Sequence, residues 1–93
     1  MDDIVKYRQE IDNIDPDIIK LIEERISLSK EIGQVKRENS IAIQDDERET
    51  SIREELKQKT RLLKKSDVDE ICTILFKISK NNQVVETLYL EHN

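Results

Sequence analysis

Residues 4–36 read IVKYRQEIDNIDPDIIKLIEERISLSKEIGQVK, and this stretch decides the fold. Ile4, Ile11, Ile18, Arg25 and Ile32 stand seven residues apart, and Tyr7, Ile14, Leu21, Leu28 and Val35 repeat at an offset of three. Two such series are the seam of a heptad helix. The period predicts one helix over about residues 3–37, on the order of 50 Å long at ~1.5 Å per residue. Pro16 removes one backbone hydrogen bond near Asp12 and favours a kink there. Asp15 and Pro16 also read as the cap and first residue of a new helix. The seam keeps its phase across Pro16, so one long helix is the expectation. Gly33 near its end costs about 1 kcal/mol relative to alanine. Close approach of another helix and simple tolerance are both open readings of it.

Arg25 is the odd residue of the seam. A guanidinium stays charged and is costly to bury without a partner. Something anionic is therefore expected to meet it. Arg25, Ser29, Ile32 and Lys36 fall on one face. Arg25 and Lys36 differ by about 20° around the axis and ~16 Å along it, a gap that fits a small organic anion. Arg8 lies ~25 Å from Arg25 on the same helix. A small ligand reaches both only across a dimer seam.

The rest of the composition agrees with an all-α chain. Aromatics are 3% of 93 residues, with one glycine and one proline, which leaves little turn chemistry for a sheet. A single domain, 1–93, is expected. A helix of ~50 Å exceeds a compact monomer of this size. Two shorter helices cannot cover its seam, so an intertwined homodimeric helical bundle is the economical arrangement. The net charge of −5 argues against general nucleic-acid binding. No apolar run approaches the ~20 residues of a membrane span, and the acidic start Met1, Asp2, Asp3 is not a secretory signal. A cytoplasmic protein is the default expectation. Cys72 alone makes neither an internal disulfide nor a metal site and reads as buried packing. His92 is a tail residue without a role.

Residues 38–44 break the pattern and read as a loop. A second helix is expected over about 45–65, with Asp45 and Asp46 at its amino end. Ser66 and Asp67, followed by Asp69 and Glu70, suggest a capping box for a third helix over about 67–90. On helix two, Asp45, Arg48 and Glu49 share the face of Ile52 and Leu56. Ordinary ion pairing in an exposed first turn also accounts for them. On helix three, Ile71, Leu75, Ile78, Asn82, Val85 and Tyr89 form a seam, with Glu86 one turn beyond Asn82. A seam asparagine also serves to set helix register. Together the three intrusions describe a polar, mainly cationic pocket inside a helical bundle.

These residues, in this order, resemble the all-helical (type II) chorismate mutases over about residues 4–90. The most specific segments are residues 7–15 (YRQEIDNID), 21–25 (LIEER), 32–36 (IGQVK) and 45–49 (DDERE). The resemblance implies an intertwined homodimer that rearranges chorismate to prephenate in aromatic amino-acid synthesis, with no metal and no cofactor. It implies that Arg8, donated across the interface, and Arg25 hold two carboxylates. Lys36 would bond a carboxylate and the ether oxygen, and Arg48 would add positive charge. Asp45 and Glu49 would take the ring hydroxyl. On helix three it implies a small polar residue and then Gln or Glu one turn later. Asn82 and Glu86 fit by seam phase, while an alignment anchored on Phe76 selects Gln83 and Thr87; the first pair is preferred. Glu86 would have to be protonated to donate to the ether oxygen, so activity is expected to decline as pH rises through its titration.

The chemistry suits the residues. One C–O bond breaks and one C–C bond forms within a single molecule, without nucleophile or proton transfer. Holding the folded-back conformer and placing cations where charge grows on oxygen are what help. Two rival readings stand beside this one. An isochorismate pyruvate lyase of the same fold would lack the acidic residue after the helix-two arginine, where this chain has Glu49. A non-catalytic helical dimerisation module would pair Arg25 with Glu24 or Glu10 of a second copy. A domain of a larger bifunctional enzyme is also compatible with the sequence.

Overall fold

The computed structural model describes residues 2–92, with side chains through Gln83. Among these residues the regular elements are α1 (Asp2–Glu38), α2 (Asp46–Lys59) and α3 (Lys65–His92). The chain is all-α, as the heptad pattern requires. Helix α1 passes through Pro16 without ending. A proline there withholds a single hydrogen bond, and the apolar series on both sides carries the helix onward.

The end of α1 is set by a C-terminal cap. Ser40 adopts a left-handed backbone, φ 55°. Its N–H donates to the Arg37 carbonyl at 3.3 Å, and the Ile41 N–H donates to the Lys36 carbonyl at 2.7 Å. This is the double hydrogen bond of a Schellman turn, with serine where glycine is usual. Helix α2 is capped by Asp45, whose carboxylate Oδ1 accepts the Arg48 N–H at 3.0 Å. It ends at Lys59, short of the expected residue 65. Thr60 turns extended and its hydroxyl accepts the Leu63 N–H at 3.1 Å. A local side-chain bond of this kind competes with helix continuation. The start of α3 shifts too. Asp67 accepts the Lys64 N–H at 3.0 Å, so Lys64 takes the cap position expected of Ser66.

Helix α3 packs on both α1 and α2, whereas the backbones of α1 and α2 stay apart. The molecule measures 56 × 30 × 14 Å, which is one layer of helices. Its radius of gyration is 17.1 Å, against ~12 Å for a compact domain of this length. One layer has almost no interior. The buried core is Val68, Cys72 and Phe76, with Ile52 of α2 against it. The guanidinium of Arg53 joins α2 to α3, donating to the Asp69 carbonyl at 2.9 Å and to the Thr73 hydroxyl at 3.0 Å. It also lies 5.1 Å from the centre of the Phe76 ring. Lys57 pairs with the Asp69 carboxylate at 3.1 Å. That pairing, with the Arg53 bond behind it, holds Asp69 below the usual carboxylate range despite some desolvation.

The isoleucine seam of α1 is left uncovered by this layer. Its apolar members all remain half exposed, from 49% at Ile18 to 63% at Leu28. The strip that α3 does cover carries the two buried residues of α1, Ser29 and Gly33. A Cβ placed on Gly33 would stand 3.0 Å from the Gln83 Cα and 2.9 Å from its Cγ. Close helix approach is therefore the reason for glycine here. No described helix is long and apolar enough to cross a membrane.

Candidate active site

Because α1 and α2 both lean on α3 without meeting, a gap remains between them with α3 as its floor. It is a cavity of about 340 Å³, within the size range of small-molecule sites. Arg25, Ser29, Ile32 and Lys36 line it from α1. Asp45, Arg48, Glu49 and Ile52 line it from the start of α2, and Phe76, Ser79, Lys80 and Gln83 from α3. The sequence expectation of one α1 face carrying Arg25, Ser29, Ile32 and Lys36 is thus realised in a single wall.

Arg25 and Lys36 are held by groups that leave their charge in place. The Arg25 guanidinium donates to the Ser79 hydroxyl at 2.9 Å and to the Leu75 carbonyl at 3.4 Å. Both acceptors are neutral. Lys36, in the last turn of α1, donates its Nζ to the Ile43 carbonyl at 2.8 Å. The Schellman turn makes that contact, because it swings residues 41–45 back over Lys36. Arg48 stands exposed on the first turn of α2, and its backbone N–H rests on Asp45. Asp45 therefore builds the helix end that presents Arg48. Lys80 donates to Gln44 at 3.0 Å and pairs with Glu49 at 3.2 Å. Four cations face two carboxylates around the cavity, a surplus of two positive charges. A dianion is the complementary guest.

The expected residues do not all assemble. Arg25, Lys36, Asp45, Arg48 and Glu49 line the cavity together. Arg8 is exposed, far along α1 toward its amino end, and takes no part in it. Asn82, preferred from the seam phase, donates its amide to the Ile78 carbonyl at 2.8 Å and is not among the residues lining this cavity, whereas Gln83 is. The side chains of Glu86 and Thr87 lie outside the described residues. Lys80 and Ser79 were not singled out from sequence. The signal was present, since Phe76, Ser79, Lys80 and Gln83 fall at i, i+3, i+4 and i+7. The more regular apolar series from Ile71 masked it.

Residues 7–84 match the family model of chorismate mutase type II. The chain belongs to the type II chorismate mutase family. It is similar to a chorismate mutase of Methanocaldococcus jannaschii, 38% identical over 90 residues, which covers 95% of this chain and 88% of that protein. It is also similar to parts of two bifunctional chorismate mutase/prephenate dehydratases. The match to that of Aquifex aeolicus is 39% over 56 residues, 60% of this chain and 16% of that protein. The match to that of Buchnera aphidicola is 48% over 50 residues, 54% of this chain and 13% of that protein. No solved structure matches the chain. In a chorismate mutase the surplus of positive charge has an evident use, since members of this family bind a dicarboxylate.

Proposed function

We propose that two copies of this chain form an intertwined dimer in which each cavity rearranges chorismate to prephenate. The observation that carries the reading is the cavity itself, with its surplus of two positive charges in a chain of net charge −5. A second observation supports the dimer. The half-exposed apolar seam of α1 is the surface that a second long helix would cover.

In this reading Arg25 grips one carboxylate of chorismate, and Arg8 of the second copy reaches the other. Lys36 holds a carboxylate and the ether oxygen of the breaking C–O bond. Negative charge grows on that oxygen in the transition state, so a fixed ammonium stabilises it more there than in the bound substrate. Arg48 raises the positive potential, while Glu49 and Asp45 accept the ring hydroxyl. Gln83 replaces Asn82 as the neutral polar group contributed by α3. The folded-back conformer brings the two reacting carbons together, and the grip at both carboxylates keeps it so. No proton moves and no covalent intermediate forms.

The test is the loss of chorismate ultraviolet absorbance with wild type and Arg25→Ala, with prephenate identified as product. Prephenate formation that collapses in the variant supports the reading. Inert chorismate, or pyruvate released from isochorismate in its place, refutes it. Sedimentation of the wild type at micromolar concentration as a single copy refutes the dimer.

A further inference from the structure

Among the described residues, Lys80 is the one cation of the cavity in an ion pair with a carboxylate. Its place on α3 directs it there, four residues after buried Phe76 and three before buried Gln83, both of which line the same cavity. Its stem is two-thirds covered, with a side-chain exposure of 33%. Its ammonium then contacts two elements at once, Gln44 in the α1–α2 loop at 3.0 Å and Glu49 on α2 at 3.2 Å. Gln44 in turn donates to the same Glu49 oxygen, Oε2, at 3.4 Å and to Asp46 with its remaining reach at 2.6 Å. The result is one network that closes the loop side of the cavity.

Glu49 poses a problem that this network solves. A carboxylate in the wall of a site for a dianion repels its own substrate. Without Lys80 the surplus of positive charge would fall from two to one, and Glu49 would face the guest uncompensated. Glu49 is also on a helix joined to α1 by nothing but the loop, so its position depends on what bridges from α3. We infer that Lys80 is a positioning residue for the rearrangement, neutralising Glu49 and fixing it and the Gln44 loop against α3 so that a dicarboxylate is admitted. The inference rests on the chorismate mutase reading above. It assigns Lys80 to substrate admission rather than to the breaking bond, which is served by Lys36.

The experiment measures kcat and KM for chorismate with wild type, Lys80→Met, Lys80→Arg, Glu49→Gln and the double variant Lys80→Met/Glu49→Gln, each checked for an unchanged melting profile. Lys80→Met should raise KM about tenfold or more, the worth of one charged contact, and lower kcat much less. Lys80→Arg, which keeps the charge, should return KM to within a few-fold of wild type. Glu49→Gln serves as the reference for the double variant: with the carboxylate already gone, adding Lys80→Met should change KM much less than it does in the wild type. A wild type that turns over chorismate while Lys80→Met keeps its KM within twofold overturns the inference and leaves the enzyme reading intact. Lys80→Met raising KM by the same factor in Glu49→Gln as in wild type also overturns it, since Lys80 would then act on the substrate and not through Glu49. An inactive wild type would instead sink the reading on which the inference stands.

Discussion

Arg8 and Arg25 lie about 25 Å apart along one helix, at ~1.5 Å per residue. The cavity of 340 Å³ is about 9 Å across if taken as round. One chain therefore cannot bring both guanidinium groups to one guest, and a shared site must take Arg8 from a second copy. Arg8→Ala and Arg25→Ala should each lower kcat/KM about 100-fold or more, since a charged hydrogen bond is worth ~1.5–3 kcal/mol and an arginine grips with two. A heterodimer of the two variants, isolated through two different affinity tags, then has one site with both arginines and one with neither. Its specific activity for chorismate should be about half that of wild type, as two-fold symmetry dictates. Each parental dimer stays near zero. A heterodimer as inactive as its parents refutes donation across the interface. So does an Arg8→Ala homodimer with undiminished activity.

Gly33→Ala places a Cβ 3.0 Å from the α3 backbone at Gln83. Forcing the helices apart should cost about 1–3 kcal/mol and lower the melting temperature. It should also raise KM, because Gln83 and Lys80 move with α3; thermal melting and steady-state kinetics check both. Ser40→Gly relieves a left-handed backbone on a non-glycine residue and should stabilise by about 0.5–1 kcal/mol in urea titration. Asp69 is held below its ordinary value of 3.8 by Lys57 and Arg53 in the native fold. Its contribution to stability is therefore present above that value and is lost as pH falls below it. Urea midpoints measured from pH 6 to pH 3 should fall in wild type, and the fall should be shallower in Asp69→Asn.

The long helix and its charged intruder were legible in the chain because helical periodicity is local geometry. A fixed rotation and rise per residue place Arg25, Ser29, Ile32 and Lys36 on one face whatever surrounds them. The cap at Asp45 was legible for the same reason, since it depends on residues three apart. The end of α2 was not, because Thr60 leaves the helix through a hydroxyl bond that periodicity does not register.

The amino-acid order alone determined three helices, the isoleucine seam and the set of cations along α1. Only the tertiary structure decided which side of α3 meets α1. Helix α3 carries two apolar strips, one through Ile71, Leu75 and Ile78, the other through Val68, Cys72 and Phe76, which packs on Ile52 of α2. Hydrophobicity does not choose between them, as burial is nondirectional. Ser29 and Gly33 do, because their small side chains let the α3 backbone approach at Gln83. That contact turns Lys80 and Gln83 into the cavity and Asn82 away from it.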